Sequence, residues 1–234
     1  MNIQIDSQLR TRFPDLAATI VHIDGVNIQK RSAELENFKL EIIKQTNQDF
    51  DLETVKDHPT FRAYRDFFWT IKIDPTKNRP ASEALTRRIL AGKPLPCINT
   101  LVDAYNLASI TCETPIATFD SDKLEGEIFM RFAKQGEEIL GIGMKKPMIL
   151  QGGEIVVSDE SKLVAVYPYR DSDNTKVTEK TKNVTIVACG VPKIPIENLQ
   201  KASKTAVDYV TKFCGGKITN NYQTGFLNSH HKPL

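Results

Sequence analysis

Histidine, cysteine and tryptophan are scarce: four, four and one among 234 residues. The cysteines, Cys97, Cys112, Cys189 and Cys214, form no C-x-x-C pair. That argues against a zinc knuckle or a disulfide scaffold and leaves four reduced thiols as the expectation. His22, His58, His230 and His231 stand at no metal-ligand spacing, so neither a metal nor a cofactor is expected. There is no G-x-S-x-G, P-loop or G-x-G-x-x-G; Gly141-Ile142-Gly143 is only a fragment of the last. No run approaches the roughly 18 apolar residues of a membrane helix, and Met1 to Asp6 lacks a secretory core. These absences predict a soluble, cytoplasmic protein. Net charge is only +2, so any nucleic-acid contact must come from a local patch rather than from bulk charge.

With 40% hydrophobic and 26% charged residues, the chain can bury a core unaided. A strand-like run over Leu16 to Ile28 turns at Asp24-Gly25, and helical spacing follows over 29–48. A second helix is predicted from Asp57-His58-Pro59, where proline suits the first turn. Phe61, Tyr64, Phe68 and Ile71 form its apolar face. Further helices are expected from Pro80 to Ala91, Asn99 to Thr111 and Pro195 to Phe213, the last stopped by Gly215-Gly216. Between them lie short β-branched runs near 128–130, 139–140, 148–150, 155–157, 163–167 and 184–187. Helices before and after a block of strands predict an α+β fold. One domain is expected over 1–216, with a polar tail over 217–234, extended or packed down.

Three constellations carry chemical interest. Between Arg62 and Lys93 stand eight cations and three carboxylates. Arg62, Arg65, Trp69 and Lys72 recur at helical spacing, and Arg79, Arg87 and Arg88 follow. Cations neutralise phosphates and an exposed ring stacks bases; alternatively Trp69 is core and the arginines are a solvated rim, with Glu83 and Arg87 paired. Asn99, Asp103 and Asn106 share one helix face, either satisfying loop backbone or lining a pocket. In Arg170-Asp171-Ser172, Thr175, Thr178 and Thr181, a cation, a carboxylate and hydroxyls crowd one loop. That loop reads as a capped turn or as a site in which Arg170 grips an anion and Asp171 orients a water.

Several stretches in order carry a family signature: Arg79-Pro80-Ala81-Ser82-Glu83-Ala84-Leu85, Leu95 to Asn106, Thr114 to Gly126, Arg131 to Glu137 and Asn174 to Val184. Together, over about 79–190, they resemble the tRNA-binding and editing module of the phenylalanyl-tRNA synthetase beta subunit, formed by its third and fourth beta domains. The chain looks most like free-standing relatives of that module. The resemblance implies an unusual β-sandwich core flanked by helices, and a pocket for the charged acceptor end of tRNA. In the synthetase that pocket hydrolyses a wrongly attached tyrosine, a second sieve needed because an apolar pocket rejects an added hydroxyl only about a hundredfold.

Asn99, Asp103, Asn106, Asp120, Asp122 and Lys123 match the family pattern. Three places depart from it. Ala117 stands where the bacterial module has histidine and Val187 where it has glutamate; polar residues around Arg170-Asp171-Ser172-Asp173 replace paired glycines. The expected function is therefore tRNA or aminoacyl-tRNA binding, with hydrolysis of mischarged tRNA in trans as its extension. The alternatives are a non-catalytic amino-acid or RNA-binding protein and an enzyme on an unrelated small molecule. The expected catalytic set is Asp103, Arg170 and Asp171, and the expected substrate set Asn99, Asn106, Asp120, Thr175 and Thr181. The expected RNA contacts are Arg62, Arg65, Trp69, Arg79, Arg87 and Arg88, and tRNA is the expected partner.

Overall fold

The computed structural model describes residues 3–225 and begins with β1 (Ile3–Ile5) and α1 (Ser7–Arg12), elements too short to announce a period. Asp6 caps α1, its carboxylate accepting from the Gln8 and Leu9 N–H groups. Next come β2 (Ala18–Asp24), α2 (Ala33–Asp49), α3 (Pro59–Thr70), α4 (Ala81–Leu90) and α5 (Thr100–Thr111). β2 turns at Gly25, where φ is +74° and the absence of a Cβ makes the reversal unstrained. Ser32 caps α2, and proline opens α3 as its fixed φ favours.

Strands then dominate: β3 (Ile116–Asp120), β4 (Ile128–Phe132), β5 (Glu138–Ile139), β6 (Met148–Ile149), β7 (Ile155–Ser158), β8 (Leu163–Val166), β9 (Arg170–Asp171) and β10 (Asn183–Cys189). The last described elements are α6 (Ile196–Cys214) and β11 (Lys217–Gly225). Residues 217–225, read in sequence as the start of a polar tail, thus pair antiparallel with β2 in the same sheet as β10. His230 and His231 lie outside the described residues.

Two sheets face each other. One has the order β1-β4-β7-β8-β9, with β1 parallel to β4 and the other pairs antiparallel; the second has the order β11-β2-β10-β3. Alternation sorts the second sheet's residues. Ala18, Ile20, Ala117, Phe119, Val187 and Cys189 join Ile128, Met130, Ile155 and Val157 of the first sheet in one core, the packing of a sandwich. The opposite-facing Val21, Ile23, Val184 and Ile186 pack on Ala104, Ala108, Ala206 and Val210 of α5 and α6. A third cluster ties α2 and α4 to α5 through Leu35, Leu85, Ile89 and Leu107. α3 closes one end of the sandwich with Tyr64, Phe67 and Phe68. At roughly 1.5–3 kcal/mol per buried large side chain, these layers supply the main cohesion.

The result is the α+β architecture expected, helices flanking a β-sandwich. Among the described residues, no helix is long and apolar enough to cross a membrane. The four thiols are unpaired, Cys97 exposed and Cys189 and Cys214 buried.

Candidate functional site

A cavity of about 100 Å³ opens between the two sheets, at the β3 edge of one and the β8–β9 end of the other. Ala117 and Phe119 of β3 and Val187 and Cys189 of β10 form one wall; Val157 of β7 and Ala165 of β8 form the opposite one. Tyr167 and Tyr169 lead into Asp171 at the rim, and Arg79 and Ala81, at the start of α4, cover the mouth. α4 begins there behind Pro80, with no side chain capping its first turn, so its positive end lies beside the opening. Period-two alternation puts each wall residue on the inner face.

Asp171 is half-buried, and desolvation raises its carboxyl to about 6, with the neighbouring Arg170 guanidinium pulling the other way. The Arg170 stem lies over Gly141: a Cβ built there would stand 2.6 Å from Arg170 Cδ. Glycine at 141 is thus needed for this close approach rather than for phosphate binding. Cys189 is held well above the ordinary thiol range, first by burial and then by the Asp171 charge, so it is no thiolate nucleophile. Tyr64 donates to the Cys189 carbonyl at 2.6 Å, fixing β10 where the cavity ends.

Beside the mouth runs an open groove of about 590 Å³ along α4, lined by Lys77, Arg79, Arg87, Arg88 and Lys93 over Leu52, Leu85 and Pro96. No carboxylate is among its described lining residues. Arg79 belongs to both groove and cavity. The remaining cations of the sequence-predicted RNA set lie elsewhere. Arg62 is exposed and bonded to Asp66 at 2.9 Å. Arg65 pairs with the buried Glu83 at 3.0 Å, taking the carboxylate that the sequence offered to Arg87. Burial holds the Glu83 carboxyl above its usual range, with Arg65 opposing. Arg87 instead donates to the Leu52 carbonyl at 3.2 Å. Trp69 is 54% exposed and not core, but it lines neither cavity nor groove.

The polar face of α5 has structural partners. Asn99 caps the helix, its Oδ1 accepting from Val102 N at 2.9 Å. Asp103 is buried; Oδ2 accepts from Lys39 Nζ at 2.7 Å and Oδ1 from Ile98 N at 3.0 Å. Lys39 also donates to Glu36 at 2.8 Å. Desolvation acts against its charge, but the bonds to Asp103 and Glu36 outweigh it and raise its pKa. Glu36, Cys97 and Asp103 bring three possible metal donors together, yet the Lys39 ammonium already engages both carboxylates. Neither Asn99, Asp103 nor Asn106 lines the cavity. Tyr105 stands between the two polar groups of residues, its phenol held high by burial and by the charges of Asp171 and Asp103.

In the threonine-rich loop, Thr181 donates to Asp120 Oδ2 at 2.7 Å and accepts from Thr178 N at 3.0 Å. Asp120 also meets Lys123 at 3.3 Å. These bonds close a turn rather than present a ligand surface. Thr175 is fully buried, and its hydroxyl has no hydrogen-bond partner among the described residues. Of the predicted site residues, then, the structure brings only Asp171 and Arg79 to the cavity. The aromatic and aliphatic wall carries no catalytic motif in the sequence; the alternation of Ala117 with Phe119 and Val187 with Cys189 is the signal that marks its shared face.

The B3/4 domain family matches this chain over residues 63–215. The phenylalanine–tRNA ligase beta subunit of Fusobacterium nucleatum subsp. nucleatum is 37% identical over 109 residues, 46% of this chain and 13% of that protein. The corresponding subunit of Latilactobacillus sakei subsp. sakei is 34% identical over 94 residues, 39% of this chain and 12% of that protein. The chain therefore spans a small part of the length of these relatives. A crystal structure of an N-terminal fragment of the Pyrococcus horikoshii phenylalanyl-tRNA synthetase beta subunit has the same fold, with a TM-score of 0.50 at 15% identity. It covers 95% of this chain and 53% of the fragment. With the match reaching from within α3 to the end of α6, the chain belongs to the B3/4 domain family.

Proposed function

We propose that this chain binds the aminoacylated acceptor end of tRNA, with phosphates in the groove along α4 and the aminoacyl group in the cavity. One observation carries this reading: Arg79 lines both the five-cation groove and the apolar cavity, so backbone recognition and side-chain recognition meet at one residue. Guanidinium and ammonium groups supply the sequence-independent part of RNA affinity. The kinship with beta subunits of a tRNA ligase supports the choice of RNA.

A second reading adds hydrolysis of the ester in trans, and Asp171 is the observation that favours it. With a pKa of about 6, its carboxylate is mostly ionised at neutral pH and basic enough to take a proton from water. The water oxygen then bonds to the carbonyl carbon, the ester C–O bond breaks, and the ribose oxygen leaves with the proton. Positioning of an already activated ester supplies much of the rate.

The test is incubation with a panel of charged tRNAs, scoring retention and deacylation separately. Retention that falls steeply with salt supports binding, with a slope reduced by about 0.7–0.9 for each groove cation removed. Release of amino acid by the wild-type protein that rises with pH through about 6 and is lost in Asp171→Asn, even at protein concentrations that saturate the aminoacyl site, supports hydrolysis. No retention of any tRNA at low salt overturns both readings.

A further inference from the structure

We propose that the cavity accepts the side chain of a small aliphatic amino acid and excludes aromatic ones, with the α-ammonium group held at Asp171. This deepens the acceptor-end reading above and rests on it for the identity of the ester. The argument begins with size. The cavity measures about 100 Å³, whereas an apolar cavity that takes up benzene is about 150 Å³. A phenyl or phenol ring therefore needs the walls to part.

The walls are poorly placed to do so. Val187 is the ladder partner of Ala117, and Val157 that of Ala165. All four line the cavity, two from each sheet. Each pair is fixed by its own sheet, and Phe119, buried and packed in the core between the sheets, lines the same wall as Ala117 and Val187. Widening the space means separating two close-packed sheets rather than swinging a loop, and interiors at crystal-like density resist that.

Polarity gives the orientation. The walls contributed by β3, β7, β8 and β10 are apolar or thiol-bearing, and the charges among the described lining residues are Asp171 and Arg79, both at the rim. A ligand with an apolar end inside and an ammonium beside a carbonyl outside matches that distribution. An α-aminoacyl ester has this form: its ammonium meets the Asp171 carboxylate, and its ester oxygens turn toward Arg79 and the groove. A free fatty or keto acid would place a carboxylate against Asp171, a like-charge contact.

Amino alcohols test this without RNA, because they keep the side chain and the ammonium and end where the ester begins. Ligand-observed NMR titrations with L-valinol and L-tyrosinol are expected to give at least tenfold tighter binding of valinol, the discrimination expected of a size-limited apolar pocket. 3-Methylbutan-1-ol, which lacks the ammonium, is expected to bind at least tenfold more weakly than valinol, and Asp171→Asn to weaken valinol to a similar degree. Val187→Ala enlarges the cavity and is expected to narrow the preference; Val157→Ala serves in its place if that variant does not fold. Equal or tighter binding of tyrosinol, parity of 3-methylbutan-1-ol with valinol, or no binding of any amino alcohol overturns the proposal. tRNA retention measured in parallel separates the two readings. Retained tRNA without a valinol preference rejects the aliphatic pocket alone, and valinol preference without retained tRNA rejects the acceptor-end reading alone.

Discussion

Ala117 on β3 lies directly opposite Val187 on β10, and both line the same cavity. These two apolar residues are thus neighbours on one wall. The charged groups of this hollow come from elsewhere, Asp171 on β9 and Arg79 before α4.

Filling that hollow should separate its contribution from that of the groove. Ala117→Phe adds a ring where about 100 Å³ is open. We expect a stability loss of about 1–3 kcal/mol from overpacking. Charged and uncharged tRNA should then be retained equally, because the cations along α4 are untouched. Urea denaturation and filter retention check the two halves.

Asp103 tests structure against chemistry. It is the partner of a buried ammonium, and Asp103→Ala leaves Lys39 with Glu36 alone. Loss of one member of a buried pair costs about 3–5 kcal/mol. The expected outcome is a large drop in denaturation midpoint that Lys39→Met partly recovers in the double variant. A fully stable Asp103→Ala protein that has lost deacylation would restore Asp103 to the catalytic set.

Asp171 makes a pH prediction with a definite sign. Its folded pKa of about 6 lies above the ordinary carboxylate value of 3.8, so the folded state binds the proton more tightly. Its contribution is fully present below pH 3.8 and is lost as pH rises through about 6, amounting to at most about 3 kcal/mol. Compared with Asp171→Asn, the wild-type protein should lose stability across that window. Paired urea titrations at pH 4 and pH 7 measure the difference. Any deacylation should rise over the same range as the base ionises.

The cations should divide into two classes. Arg79→Ala and Arg88→Ala, both in the groove, are expected to weaken tRNA retention and lower the salt slope with little change in stability. Arg65→Ala, which strands the buried Glu83, should mainly destabilise the fold. Trp69→Ala, at an exposed position that lines neither cavity nor groove, should change stability by less than about 0.5 kcal/mol. Equal salt slopes for the Arg65 and Arg88 variants would contradict this division.

The helices were legible because their ends carry chemistry that acts locally: Pro59 opens α3, Asn99 caps α5 and Gly215 follows α6. The longer strands were legible through β-branched runs. β1, β9 and β11 were not, since two or three residues show no period and a polar edge strand is defined by its partner. The α+β class followed from element order, but the cavity did not, because it exists only where β3 and β10 meet β7 and β8. The polar face of α5 was visible as a pattern. Its use was settled by Lys39, 64 positions away from Asp103, a distance no local spacing reveals. Asp171 was found because a carboxylate beside an arginine in a hydroxyl-rich loop is unusual wherever the loop sits.

The second strand of the chain lies outside the family match of 63–215, yet it runs between β10 and β11 in the middle of its sheet. A fragment trimmed to the homologous region would therefore lose both β2 and β11 (Lys217–Gly225) and leave β10 with no ladder on one side. A long open edge of that kind invites association between molecules. Preparations for binding work should retain the leading sixty-odd residues and β11, and poor solubility of shorter versions would reflect missing planks in the sheet rather than a defect of the pocket.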